Sequence, residues 1–243
     1  ILFFFYAIVS LEAKEDLTLE KKQQSILREE WANLMSDLHV QKDSSRLLQE
    51  TLEFYAQDNR SYHATSHIIQ VLEEFCSFLA LQKEYKIEEI DSSSIRLALW
   101  FHDLFFDPKN SDNEERSAEF AKTAILDLGL TSERANRVAE LILLTKNHQT
   151  KDSDLEGRIV CDLDLSIFGQ EEKVFDSYET KVRREYTFIP IEDYLGLRLS
   201  FLETRFLKKE WIFSLPFFQN AFEENARNNL KRSVKRLRSL RDV

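Results

Sequence analysis

Four glycines and three prolines in 243 residues leave this chain little of the turn chemistry that a β-rich fold requires. That scarcity constrains the fold more than any other feature. Long helices joined by short polar loops are the natural outcome, and the expected fold class is all-α, a single helical bundle. A hydrophobic fraction of 43% and a charged fraction of 31% are those of an ordinary globular chain. Its length suffices for one substantial core without a second domain.

Apolar spacing predicts where the helices run. The first spans Leu17 to His39, with Leu19, Ile26, Trp31, Leu34 and Leu38 as its stripe, and the second spans Ser44 to Ala56. A third begins near Tyr62 and buries Ile68, Val71, Leu72, Phe75 and Leu79. Asp91 and the serines after it offer N-caps for Ile95 to Leu104, and Phe105 to Asp112 reads as a loop. Ser111 and Glu114 have the spacing of a capping box for a helix ending by Gly129. Further helices are expected from Thr131 to Lys146, from Leu155 to Phe168, and through 171–187, 191–209 and 217–240.

The formal charge of −10 gives no global attraction to nucleic acid or to an anionic membrane, so neither is an expected partner. Lys231, Arg232, Lys235, Arg236, Arg238 and Arg241 read as a solvated helix end whose cations suit the negative pole of the helix dipole. Cys76 and Cys161 have no CxxC partner and are expected as buried free thiols of a reducing compartment. Residues 1–16 stand apart from the domain expected over 17–243, because Ile1 to Val9 is wholly apolar. That run falls short of the about 20 residues a membrane span takes. It reads as a signal-peptide remnant, an upstream start or a docked apolar helix; a cytoplasmic location is expected, with export the minor alternative.

Chemistry gathers on a few polar residues in apolar settings. His63 and His67 have i, i+4 spacing and are expected on one face of one helix. His102 and Asp103 follow Leu99-Trp100-Phe101, and His148 closes the helix that carries Leu141 and Leu144. Asp162 and Asp164 lie within Ile159-Val160-Cys161-Asp162-Leu163-Asp164-Leu165-Ser166. A buried carboxylate is costly unless paired, hydrogen-bonded or bound to a metal. Imidazole and carboxylate together suit Mn, Fe, Co, Ni, Zn or Mg. Each feature alone also has an ordinary explanation as core histidine, chance dipeptide or helix cap.

In this order the residues resemble the H…HD…D signature of the HD superfamily of metal-dependent phosphohydrolases: His67, then His102-Asp103, then Asp164. Flanking blocks are similar to the branch described as predicted metal-dependent HD superfamily phosphohydrolases. They are Arg60-Ser61-Tyr62-His63, Asn113-Glu114-Glu115-x-Ser117-Ala118, Thr145-x-x-His148, Asp162-x-Asp164-Leu165-Ser166, Arg183-x-Glu185-Tyr186 and Glu224-x-Ala226-Arg227-x-Asn229-Leu230. The resemblance runs from about Tyr55 to Leu230 and implies a helical bundle of the HD-domain type.

It also implies a mechanism. His67, His102, Asp103 and Asp164 would hold a divalent ion, with Asp103 free to bridge to a second. The ion would activate a water against a phosphate mono- or diester, expectedly a nucleotide. Asp164 is preferred to Asp162 as ligand, leaving Asp162 to support the site from behind. Tyr62-His63-x-x-x-His67 resembles cyclic-nucleotide phosphodiesterases, which makes His63 the proton donor and, with Asp103, a catalytic residue. His148, Arg60, Arg183 and Arg198 are candidates for phosphate binding, although Arg183 would serve equally as an ion-pair partner of Glu185. Glu114 either reaches the site or caps its helix. The alternatives are a non-catalytic nucleotide-binding or interaction protein on the same scaffold, and an oxygenase with a mixed-valent di-iron centre. A homo-oligomer is left open.

Overall fold

The computed structural model describes residues 21–87 and 90–241. Within them the elements are helices only: α1 (21–37), α2 (Ser45–Tyr55), α3 (Thr65–Leu81), α4 (Ser92–Phe101), α5 (Asn113–Asp127), α6 (Ser132–Thr145), α7 (Leu155–Leu165), α8 (Glu172–Glu185), α9 (Ile191–Leu202) and α10 (Pro216–Arg241). A 3₁₀ turn, Ser166–Gly169, follows α7, and a π-helical turn, Glu203–Leu207, follows α9. No strand occurs among the described residues, so the all-α expectation holds. No described helix is long and apolar enough to cross a membrane. The apolar run Ile1 to Val9, with the three readings of it, lies outside the described residues.

The helix termini carry the local chemistry that makes them. Asp91, Thr131 and Asp154 cap α4, α6 and α7 by accepting from Ser94 N, Arg134 N and Gly157 N. After α5 the chain turns through Gly129 at φ +83°, with Leu130 N donating to Ile125 O and Gly129 N to Leu126 O. This paired pattern needs a left-handed residue, which glycine adopts without a Cβ clash. The capping box expected at Ser111 and Glu114 does not form: Asp112 occupies the cap position, and no side chain bonds there. Asn113 and Ser117 hold the preceding loop instead, through Asp107 and the Phe105 amide.

One apolar core runs through the bundle, and α3, α4 and α7 are its central helices. Ile95, Leu97, Ala98, Leu99, Trp100 and Phe101 are all fully buried, so α4 is covered on every side. α1 closes one flank through Leu27, Trp31, Leu34 and Met35, whose i, i+4, i+7, i+8 spacing faces Trp100 and Phe101. Ile26, expected in that stripe, is exposed, because the contact face runs one residue later. On the opposite flank α10 lies against the 3₁₀ turn. A Cβ on Gly169 would stand 2.4 Å from Phe222 Cβ and 2.8 Å from its Cα, so only glycine permits this approach.

Three other expectations change. The helix expected over 191–209 gives way after Leu202 to the π turn. Cys76 is exposed, whereas Cys161 is buried as expected, and both are free. The basic residues of α10 are partly paired: Arg232 bridges Glu172 and Asp176 of α8, and Arg238 pairs with Glu203.

Candidate metal centre

Three helices deliver the four side chains that meet in the core. His67 sits in the first turn of α3, His102 caps the C-terminus of α4, Asp103 follows it, and Asp164 lies near the end of α7. Ligand atoms of these four all lie within 4.8 Å of one another. The Nε2 atoms of His67 and His102 are 3.1 Å apart. Asp103 Oδ2 is 3.5 Å from the first and 3.1 Å from the second. Asp164 Oδ1 is 3.3 Å and 3.6 Å from the same two nitrogens. Donors about 2.1 Å from one ion are spaced about 3.0 Å at right angles and about 3.4 Å in a tetrahedron. The separations fit a first-row divalent ion, and the N₂O₂ donor set suits one.

Hydrogen bonds outside the cluster orient its rings. His102 Nδ1 lies 3.0 Å from the Leu99 carbonyl, which only accepts, so Nδ1 carries the hydrogen and the neutral ring presents a lone pair at Nε2. Nδ1 of His67 is 3.1 Å from the Tyr62 hydroxyl, which can either accept its hydrogen or donate to it, so this contact orients the second ring without fixing its tautomer. His148 Nε2 contacts Asp164 Oδ2 at 2.8 Å, so one oxygen of that carboxylate is oriented by His148 while the other faces the imidazoles.

Electrostatics calls for a cation here. Burial opposes a charge on His102, yet Asp103 and Asp164 outweigh it and hold its pKa well above the ordinary value. Burial would raise the two carboxyls, but the imidazoles around them hold both below the usual carboxylate range. Two carboxylates sharing two neutral imidazoles form a site of net negative charge in low dielectric, filled by protons or by a metal ion.

His63 does not share a helix with His67. Residues 61–64 form an irregular turn, and α3 starts at Thr65. The turn is held by Glu185, at the end of α8, whose Oε1 accepts from the amides of Ser61 (2.7 Å), Tyr62 (2.7 Å) and His63 (3.0 Å). Its Oε2 takes the His63 Nδ1 hydrogen at 2.7 Å. Burial depresses the His63 pKa, but the charge of Asp103 and the bond to Glu185 reverse this and raise it. His63 also stacks on Phe106, with ring centroids 4.1 Å apart.

The arginines expected at phosphate are otherwise committed. Arg60 is buried and donates to the carbonyls of His63, Asp103 and Leu104, at 3.0, 2.6 and 2.5 Å. One guanidinium thereby ties the histidine turn to the end of α4. Arg183 donates to the Tyr186 and Ile189 carbonyls beyond its own helix, and its expected partner Glu185 is engaged with His63. Arg198 pairs with buried Glu179 and donates to the Tyr178 hydroxyl. Asp162 makes no contact with the cluster: it accepts from the amides of Ser214 and Leu215 and from the Ser214 hydroxyl, fixing the approach to α10. Burial pushes its carboxyl up to about 6, against the pull of those bonds.

The cluster opens into a polar cavity of about 310 Å³. Glu114 is on its wall with His63, Asp103, His148 and Asp164, and burial together with the charge of Asp103 raises the Glu114 pKa. Lys146, Arg205 and Lys209 supply the cations, of which Lys146 bonds Glu115 at 2.5 Å. Arg205 and Lys209 have no carboxylate partner among the described residues and lie within and just after the π turn. Nothing in the local sequence marked them, because they enter the site through the break in the helix expected at 191–209. No protein-family model, curated protein or solved structure matches the chain.

Proposed function

We propose that this protein is a metal-dependent phosphohydrolase of the HD type, acting on a phosphate mono- or diester of a small metabolite. The observation that carries the reading is the convergence of His67, His102, Asp103 and Asp164 on one point at the floor of a polar, cation-bearing cavity. His67, His102, Asp103 and Asp164 would hold a divalent ion, which would supply Lewis acidity and make water a nucleophile at neutral pH.

The chain's own residues do the rest. Arg205 and Lys209 bind the phosphate from the cavity wall, where their charges have no competing carboxylate among the described residues. His63 has Nδ1 bound to Glu185, so its transferable proton sits at Nε2. The attacking water gives up one proton to solvent; as its oxygen forms the new bond to phosphorus and the ester P–O bond breaks, the His63 Nε2 proton passes to the leaving oxygen. Glu185 and Arg60 fix the turn that carries His63, and Arg60 also holds the Asp103 backbone, so acid and ligand keep a constant separation. His148 steers Asp164 without joining the cluster.

The test has two arms on the purified full chain. Metal content is measured by mass spectrometry after incubation with Mn, Co, Ni, Fe, Zn or Mg. Hydrolysis is then assayed across a panel of phosphorylated metabolites beside the Asp103→Ala variant. Expected are bound metal in the parent, loss of most metal in the variant, and hydrolysis by the parent alone. A chain that takes up metal and cleaves no phosphate ester overturns the proposal.

A further inference from the structure

A groove of about 430 Å³ lies between the later turns of α10 and the π turn Glu203–Leu207. Lys231, Lys235 and Arg238 line it at i, i+4, i+7 spacing, which sets all three on one face of the helix. Val234 and Leu207 add apolar wall between them. Glu203 is the only carboxylate in the lining, so three cations face one negative charge. This local excess of positive charge stands on a chain whose formal charge is −10.

Other basic residues of α10 have ordinary employment. Arg232 bridges Glu172 and Asp176, and Arg236 approaches Glu179 at 4.0 Å. Cations in the last turn suit the negative pole of the helix. Neither account covers Lys231 and Lys235, which pair with no carboxylate among the described residues and lie more than a turn before Arg241. The one ion pair inside the groove, Arg238 with Glu203, is open to solvent, its side chains 62% and 30% exposed. Exposed pairs contribute little, so an anion with more charge can displace Glu203 from Arg238.

We propose that Lys231, Lys235 and Arg238 form a binding site for a compact oxyanion of the phosphate class, and that this anion competes with Glu203 for Arg238. Lysine binds phosphate as a point charge and arginine through its fork of donors. A long polyanion would meet the acidic body beyond the groove, whereas a compact one gathers the three cations alone. Glu203 opens the π turn, and its carbonyl accepts the Lys208 amide at 3.1 Å. The same turn carries Arg205 to the polar cavity, with Lys209 just after it. Displacing Glu203 therefore removes a tie on the turn and brings further negative charge beside it. Both effects weaken the binding of a phosphate ester in the cavity. This last consequence rests on the hydrolase reading; the anion site does not.

Binding and turnover are tested separately on the full chain. Methyl NMR of Leu207 and Val234 reads the groove itself, in metal-free protein titrated with inorganic phosphate or, at matched ionic strength, with sodium chloride. Saturable shifts are expected with phosphate and not with chloride. The double variant Lys231→Ala/Lys235→Ala should lose them, circular dichroism confirming its fold. Glu203→Gln removes the competing charge and should tighten phosphate about threefold or more. Shifts that fail to saturate, or that survive in the double variant, overturn the site. Affinity unchanged or weakened in Glu203→Gln overturns the competition. In turnover, inorganic phosphate should raise KM about twofold more in the parent than in the double variant, because the parent alone lets the anion loosen the turn that positions Arg205. Equal rises overturn the link to the polar cavity and leave the hydrolase reading standing. If no ester is cleaved, the hydrolase reading fails alone, and the NMR titration still decides the anion site.

Discussion

Glu185 Oε2 lies 2.7 Å from His63 Nδ1, while its other oxygen accepts three consecutive backbone amides of the turn that bears this histidine. One carboxylate therefore sets both the position of the imidazole and the nitrogen that carries its exchangeable proton. The charge favours a protonated His63, and the amides favour an ionised Glu185, whose pKa is lowered although burial opposes it. The histidine's folded pKa is raised above its ordinary 6.5, so its contribution to stability is fully present below pH 6.5 and lost as pH rises through the folded value. Glu185 contributes above its ordinary 4.5, and this is lost as pH falls through its depressed value. The pair stabilises most between these limits.

Glu185→Gln keeps an acceptor for the amides and removes the charge. The His63 pKa is expected to fall, read by NMR titration of the imidazole nitrogens. In turnover, the limb of the pH profile that reports the acid should move to lower pH. An unmoved His63 titration would show that Glu185 does not set its protonation.

Metal should stabilise the fold as well as equip the site. An ion at a hundred times its dissociation constant adds about 2.7 kcal/mol. For a chain of this size that is a rise of about 5–10 °C in Tm. Differential scanning fluorimetry should record the rise in the parent, its reversal by a chelator, and its absence in His67→Ala. A rise that persists in His67→Ala would place the ion elsewhere.

Arg60 acts on structure. Arg60→Leu leaves the carbonyls of His63, Asp103 and Leu104 without their donor in a buried setting. Each buried group left unpaired costs about 1–3 kcal/mol, so a loss of about 3 kcal/mol or more is expected in urea unfolding. Arg60→Lys should recover only part, since an ammonium cannot span the three acceptors in a plane. A loss under about 1 kcal/mol in Arg60→Leu would contradict this account.

Gly169→Ala tests the seat of α10. The added Cβ meets the Phe222 backbone at 2.8 Å, and Asn229 holds the same turn by donating to the Phe168 and Gln170 carbonyls, so neither side yields freely. Overpacking of this kind costs about 1–3 kcal/mol. Chemical denaturation that shows no change would mean that α10 shifts to accommodate it.

The sequence alone determined the helical class, because few breakers and a 3.6-residue apolar period leave no other regular structure for these segments. It also marked the four residues of the cluster, through their resemblance to the H…HD…D signature. Imidazoles and carboxylates set in apolar runs such as Leu99-Trp100-Phe101-His102-Asp103 are costly to bury singly, so their presence signals a shared partner. Several motif residues were legible as a pattern but not in their work. Asn113 and Ser117 hold the loop just before their own helix, whereas Arg227 and Asn229 reach the Glu210 carbonyl and the more distant Phe168 carbonyl. Only the tertiary structure decided that His63 leaves the helix of His67, since a carboxylate 122 positions away outbids the helical amide bonds of that turn. It alone committed Arg60 and Arg183 to backbone carbonyls, turned Asp162 toward Ser214, and brought Arg205 and Lys209 to the cavity through the π turn. The physical reason is common to these cases. Local spacing fixes which face a residue occupies, whereas the partner that meets a buried polar group depends on which distant segment the packed core brings against it.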